Sequence, residues 1–401
     1  MSLVCALMAR LRIVFSTQPG HGHLNPLLPV ARACQGAGHR ILFATAPRFC
    51  ETVEKLGFQC RSAGMDYLWS EGLASFPEIA QAPRGPEQIR WLTEQVAFPR
   101  LVRPMAGDLL GLFEDFEPDL VVVDWAEWGG RLAADVAGLP YASCSWGYEA
   151  DMDFSYCWDL YDDLRREFGL GLAPVRDRGL APWLRISPLP ERWVRAQAPS
   201  SPTTHRFAMA LHDAPPDATL PAWFDELEDR PLIYATLGTV LEIAPLMAWL
   251  IDGLAPLEAD VIITTGTGFD PSSLPPLPQN VHVERFIPQS LLLEHCALVV
   301  SHAGFGTVLG AMQHGVPMIL LELAADHWYN AERCAELGVA YIAGRYARTA
   351  EGLSDLARNA LSDESLRANA AAMTSAFAEL PDVSDAVPLL ERLASKRVPI
   401  A

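Results

Sequence analysis

Two glycine-rich turns carry histidine in this sequence, and they are the residues best placed to do chemistry. The first, Pro19-Gly20-His21-Gly22-His23, stands between the apolar run LRIVFST (11–17) and a helical repeat of Leu24, Leu27, Leu28, Ala31 and Cys34. The second, Ser301-His302-Ala303-Gly304-Phe305-Gly306-Thr307, follows the apolar residues ALVV (297–300) and opens another helical repeat. A glycine turn between strand and helix lets the backbone approach an anion. The helix N-terminus behind it supplies unpaired N–H groups and a partial positive charge. The second turn adds the Thr307 hydroxyl and the His302 imidazole, which suits a diphosphate; with no ligand it reads as a tight strand–helix connection. It has no Lys after its glycines, so it is not a Walker loop. Its third glycine falls at Gly310, one place late for the G-x-G-x-x-G fingerprint of dinucleotide binders.

The first turn stays open on its residues alone. His21 and His23 can hold phosphate, cap the helix or take a proton near neutral pH. As a metal site, His-x-His offers two ligands, and no third is evident nearby. Two acids are candidates beside them: Asp124, which ends the run DLVVVD, and Asp326 of the pair Asp326-His327. Each also has a plain reading as an acid at a helix N-terminus. Asp151-Met152-Asp153 matches a metal-holding D-x-D, but it lies in an acidic, aromatic stretch that ends no clear strand, so metal binding is not expected there.

The elements that must position these residues alternate between strand and helix. In the first half, strands are predicted at 11–17, 39–45, 58–64, 119–124 and 141–145, with helices from Leu24, over 48–56 and over GGRLAADVAGLP. In the second half, strands are predicted at 231–239, 261–268, 280–286, 297–302, 317–323 and 338–344, and helices fill 350–395. Continuous apolar strands of this kind belong to parallel sheets covered on both faces. The segment 196–230, rich in Pro, Ser and Thr, breaks the alternation and reads as the linker. The fold class is therefore α/β, with two Rossmann-like doubly wound domains facing a cleft. In such sheets ligands bind at the carboxyl ends of strands, where both glycine turns lie.

SHAGFGTVLGAMQHGVPMILLELAADHWYNAERCAELGVA (301–340) resembles the nucleotide-sugar signature of the GT-B inverting glycosyltransferases. The branch it resembles is the bacterial one that decorates natural products of macrolide, enediyne and glycopeptide type. PGHGHLNPLLPVARACQGAGH (19–39), PLIYATLGTV (231–240) and VERFIPQSLLLEHCALVVSHAG (283–304) resemble other stretches of that family, in the same order. The resemblance covers nearly the whole chain and is most specific in the second half.

The resemblance implies roles residue by residue. His23, in Gly22-His23-Leu24-Asn25-Pro26, stands at the family's catalytic base, and Asp124 at its partner acid. His302, Gly304, Gly306 and Thr307 stand at the pyrophosphate, with Thr239 also facing the phosphates. Phe286, Ile287 and Gln289 stand at the base and ribose, Phe286 replacing a more usual Trp. Asp326 and His327 stand where an Asp-Gln or Asp-His pair holds sugar hydroxyls. Glu322 departs from the family, which commonly has Pro there, and this leaves the loop shape and the sugar open. His21 keeps a supporting place near phosphates or acceptor. The implied domains are an acceptor-binding one at 1–210 and a donor-binding one at 211–380, with a C-terminal helix in 381–401 packing back on the first.

The expected activity is transfer of a sugar from a TDP- or UDP-sugar to a hydroxyl of a small, largely apolar aglycone. No cofactor or metal is expected beyond the nucleotide-sugar co-substrate. Trp69, Phe76, Trp91, Phe98, Trp146, Tyr148, Phe154, Tyr156, Trp158 and Tyr161, on the irregular segments 64–100 and 146–168, would suit a ring-containing acceptor, although part of this set must be core. Rival readings are a GT-B nucleotide-sugar epimerase, which would turn over without acceptor, and a non-catalytic nucleotide-sugar-binding relative. An NAD(P) enzyme is disfavoured by both glycine turns.

Composition bounds the rest. At 401 residues, half of them hydrophobic and 20% charged, the chain is globular and long enough for two domains. A net charge of −19, from 30 Lys and Arg against 49 Asp and Glu, makes it a poor match for nucleic acid or an anionic membrane. Its eight cysteines form no C-x-x-C pair and read as free thiols in a reducing cytoplasm. The apolar start MSLVCALMAR shows no cleavage pattern and reads as an extension ahead of a start at Met8. No apolar run reaches the roughly 18 residues of a membrane span. A homodimer is compatible with this composition, which does not specify one.

Overall fold

Two parallel sheets carry the chain, and both reverse their winding direction at their centre. The computed structural model describes residues 10–145, 147, 155–173, 183–196, 201–211, 213–214, 217–238, 244–266, 269–346 and 349–401. The first sheet contains β1 (Arg12–Ser16), β2 (Arg40–Thr45), β3 (Gln59–Ser62), β4 (Leu120–Asp124), β5 (Tyr141–Cys144), β6 (Leu184–Ser187) and β7 (Thr204–Arg206), in the order β3-β2-β1-β4-β5-β6-β7. The second contains β8 (Leu232–Thr236), β9 (Asp260–Thr264), β10 (Val281–Glu284), β11 (Cys296–Ser301), β12 (Met318–Leu320) and β13 (Ala340–Ile342), in the order β10-β9-β8-β11-β12-β13. Every pairing is parallel. The reason is visible in β4, whose five residues from Leu120 to Asp124 are all fully buried. Such a strand needs helices over both faces, which parallel crossovers provide. The strand order reverses between β1 and β4 and again between β8 and β11, and a crevice opens at the carboxyl end of each sheet at that point.

Three features differ from, or add to, the sequence expectation. β6 carried no legible strand signal, and β7 lies inside the segment read as linker. β7 is a three-residue edge strand paired on one side only, too short to show a period of two. The 64–100 segment, expected to be irregular, consists of short helices at Trp69–Glu71, Gly72–Ser75, Pro77–Gln81 and Glu87–Leu92, which run into a π-helix over Thr93–Val102. Pro99 lies inside that wide helix, where it lacks an N–H for an ordinary helical bond. The helix Ala386–Lys396 buries Ala386, Leu390 and Leu393 in the same core as Ile13, Leu24 and Phe43 of the first domain. Those residues recur at helical spacing, so one stripe faces the core. No helix among the described residues is long and apolar enough to cross a membrane.

The helix His327–Glu336 and the turn before it bind the second domain to the first. Arg333 donates to the carbonyls of Trp193 (2.5 Å) and Arg192 (2.9 Å), and Arg195 forks onto Glu336 at 2.8 and 2.9 Å. Tyr329 donates its hydroxyl to the Pro86 carbonyl at 3.1 Å, and the Ala325 N–H donates to Gln88 Oε1 at 2.7 Å. The fully buried Trp193 meets Phe305 edge-on, with ring centroids 6.4 Å apart.

Candidate functional site

In the first domain the site is built on the register of two strands. β1 pairs with β4 so that Ser16 lies beside Val123, and the residues just beyond the two strand ends meet. Past β1 the chain turns at Gly20 and enters a short helix over His21–Leu24. His23 Nδ1 lies 2.6 Å from Asp124 Oδ2. The Asp124 side chain is fully buried and that of His23 is 18% exposed, so the acid sits behind the ring and Nε2 is turned away from it. The other carboxylate oxygen, Oδ1, accepts the Ala126 N–H at 3.1 Å. A carboxylate on Nδ1 fixes the tautomer that leaves Nε2 as the basic nitrogen.

The geometry decides between readings that were open. Asp124 does not cap the helix Trp128–Ala137; Glu127 does, accepting from Gly129 N (2.7 Å) and Gly130 N (2.6 Å). The Ser16 hydroxyl donates to the same carboxylate at 2.5 Å and so ties the end of β1 to the end of β4. Burial raises the Glu127 carboxyl above its usual range, and these three bonds oppose the rise. The two histidines of the turn also part company. His21 packs edge-on against Phe49, centroids 5.6 Å apart, while His23 takes Asp124.

The second domain answers with the His302 turn. His302 lies between two glycines: a Cβ on Gly304 would fall 2.2 Å from its Nε2, and one on Gly238 2.6 Å from it. Gly238 also adopts φ +76°, which favours glycine. Burial pulls the His302 imidazole down to about 4, against an opposing contact with the Thr236 backbone, so at neutral pH it is an uncharged donor. The helix Phe305–Gln313 starts after Gly304, which offers no side-chain cap. A Cβ on Gly306 would meet open space, and Thr307 is buried.

Asp326 and His327 follow β12, at the same edge of the sheet. The Asp326 carboxylate does not cap its own helix; Asn330 Nδ2 donates to it at 2.7 Å. Burial raises this carboxyl to about 6, while Asn330 and, more weakly, His23 across the cleft oppose the rise. His327 Nδ1 accepts the Ala324 N–H at 3.1 Å, which leaves its proton on Nε2, and its ring stands edge-on to His302 with centroids 4.8 Å apart. Burial holds the His327 imidazole well below its usual value. Asn330, fully buried, also donates to the carbonyl of Ala303, a non-glycine residue at φ +63°, and so ties the His302 and Asp326 turns together.

At the far edge, Phe286 is 60% exposed beyond β10, with its ring open to stacking. The Ile287 side chain is buried in the core, and Gln289 begins the helix Gln289–Leu292. β10 and β11 are three strand spacings apart in the sheet, roughly 14 Å, which is the scale of a nucleoside diphosphate. Thr239 and the Asp151-Met152-Asp153 motif lie outside the described residues, as do Trp146, Tyr148 and Phe154.

The aromatic segments are mostly core. Phe76, Phe98, Trp125, Trp128, Trp158 and Tyr161 are buried, while Trp69, Trp91 and Tyr156 are half-buried. Between them lies a narrow recess lined by Gln18, Ala63, Met65, Tyr67, Leu101 and Met105. Sequence reasoning missed Asn330, Glu127 and Gln88. Asn330 stands four residues after Asp326, and Glu127 three before Gly130, so helix spacing and capping pattern carried signals for both. Gln88 reaches in from the other domain and carried none.

The family described as erythromycin biosynthesis protein CIII-like, C-terminal domain, matches residues 248–393. A 4'-demethylrebeccamycin synthase of Lentzea aerocolonigenes is 29% identical over 95% of this chain and 99% of its own. An L-demethylnoviosyl transferase of Streptomyces niveus is 30% identical over 82% of this chain and 84% of its own. The solved glycosyltransferase SsfS6 of Streptomyces sp. SF2575, in complex with thymidine diphosphate, superposes with a TM-score of 0.77 at 23% identity, over 96% of this chain and all of its own.

Proposed function

This chain belongs to the GT-B natural-product glycosyltransferases, and from that premise we propose that it moves a sugar from a TDP- or UDP-sugar to a hydroxyl of a small, largely apolar aglycone, with inversion. The observation that carries the reading is the His23–Asp124 pair, 2.6 Å apart at the reversal point of the first sheet, with His23 near enough to Asp326 of the second domain to favour its charged form. In this reading His23 Nε2 takes the acceptor proton while Asp124 holds Nδ1 and steadies the imidazolium that forms. The freed oxygen attacks the anomeric carbon, and the bond from that carbon to the diphosphate oxygen breaks on the opposite face. Charge develops on the leaving diphosphate. The N-terminus of Phe305–Gln313, the Thr307 hydroxyl and neutral His302 meet that charge without a metal.

Asp326 and His327 would hold sugar hydroxyls, and Phe286, the Ile287 backbone and Gln289 the base and ribose. Thymidine diphosphate in the solved relative supports a TDP donor first. The acceptor would enter by the recess between Gln18, Met65 and Met105. The test is turnover by His23→Ala with TDP- and UDP-sugars across an aglycone panel. Turnover should fall by about 10²- to 10⁴-fold, the usual share of a general base, while stabilisation by TDP persists. Near-normal turnover refutes the base assignment.

A further inference from the structure

A chain of hydrogen bonds runs from the aromatic 65–76 loop to the acid that holds His23. The Trp69 indole N–H donates to Gln18 Oε1 at 2.7 Å, and Gln18 Nε2 donates to the Ala126 carbonyl at 2.7 Å. The Ala126 N–H donates to Asp124 Oδ1 at 3.1 Å, and Asp124 Oδ2 holds His23 Nδ1 at 2.6 Å. An indole can only donate and a carbonyl can only accept, so the Gln18 amide fits one way round. The three donations toward Asp124 run in one direction; the first two share the Gln18 amide, so the first polarises the second, and together they pin Ala126, whose own N–H holds Asp124. Trp69 is anchored a second time, its backbone N–H donating to the Pro19 carbonyl at 3.2 Å. Its ring lies 22° from parallel to His23, and Tyr67 and Phe76 pack on it at 5.5 and 5.9 Å. Gln18, 8% exposed, and Tyr67 also line the acceptor recess.

We propose that Gln18 is a positioning residue for the transfer, coupling the seat of Trp69 beside the acceptor recess to the Asp124–His23 pair. This rests on the reading of His23 as the base. The titratable groups around His23 include Asp124, Asp326 across the cleft, Glu127 beside Asp124 and His21 on its own turn, whose imidazole burial lowers. Gln18 and Trp69 add no charge to that set. They act by holding the 124–126 turn, which aims the carboxylate at Nδ1.

The experiment is a double-mutant cycle with Gln18→Leu and Trp69→Phe. Each single variant should lower kcat by about three- to tenfold, the range of one neutral hydrogen bond, with donor and acceptor KM unchanged. The double variant should be no slower than the slower single, because both break the same chain. Losses that multiply, a loss carried wholly in acceptor KM, or no loss at all would overturn the coupling. Should Gln18→Leu fold poorly, Trp69→Phe alone keeps the test: it retains a ring, loses the indole N–H, and must lower kcat without moving either KM. His23→Ala run beside them separates the two levels. Turnover that survives it defeats the base reading itself, whereas an inactive His23→Ala with multiplying losses defeats only the coupling.

Discussion

Asp124→Asn preserves the size of a fully buried side chain and changes one proton inventory. In the native protein its two oxygens face two N–H donors, Ala126 N at 3.1 Å and His23 Nδ1 at 2.6 Å. An asparagine can satisfy Ala126 only with its oxygen, which turns its NH₂ toward His23. Nδ1 must then accept, the proton moves to Nε2, and the ring has no lone pair for the acceptor hydroxyl. Recovering the productive tautomer means turning the amide over and leaving the Ala126 N–H against an NH₂ group. Losing a charge-assisted bond costs about 1.5–3 kcal/mol and leaving a buried donor unpaired about 1–3 kcal/mol. Together these correspond to a loss in kcat of about 10²- to 10⁴-fold at roughly 1.4 kcal/mol per tenfold. The loss should not exceed that of His23→Ala, because the imidazole remains. Product formation at saturating donor and acceptor reads kcat, and the thermal shift with TDP reads donor binding, which should hold within about twofold. A kcat within about fivefold of native, or a loss confined to donor binding, would refute the tautomer argument.

Two further outcomes follow from the second domain. Gly304→Ala drives a Cβ to 2.2 Å from His302 Nε2, so it should lower Tm by several degrees and abolish stabilisation by TDP, whereas Gly306→Ala, whose Cβ meets open space, should leave Tm unchanged. A Gly304→Ala protein with native Tm and native TDP response contradicts the close packing of that ring. The second outcome concerns pH. The Asp326 carboxyl, raised from 3.8 to about 6, keeps its proton longer in the folded state, so its contribution to stability is lost as pH rises from about 4 to 6. The His302 imidazole, lowered from 6.5 to about 4, works the other way, and its contribution grows as pH rises from about 4 to 6.5; His327 adds to it. The acid therefore opposes the two imidazoles over this pH range. Asp326→Asn removes that opposition and should steepen the fall of Tm between pH 6.5 and 4.5; an unchanged slope in Tm against pH rejects the assignment.

The parallel architecture was legible because its cause is local. Runs such as LVVV at 120–123 are apolar on both faces, and only a sheet covered twice can bury them. The His302 turn was legible for the same reason, since strand, glycines and helix are contiguous. β7 was not, because a three-residue edge strand is defined by its neighbour Arg185–Ser187 and not by its own pattern. Most of the described aromatic residues at 69–161 are core, which spacing could not separate from an acceptor wall, because burial depends on what packs above them.

Sequence alone determined the kinds of group available: a turn histidine, a strand-end acid, a glycine turn for an anion, and an Asp-His pair. Those follow from residue type and short-range order. Residue type and spacing left open which groups meet; the resemblance named Asp124 as the partner of His23, and the tertiary structure brings the two together. His23 and Asp124 are 101 residues apart and touch because β1 and β4 are neighbours at the reversal of the sheet. Asn330 and Gln88 entered the site because a helix of one domain packs against the other. Strand order and domain packing are set by the burial of the whole core, and no window of the chain contains that sum.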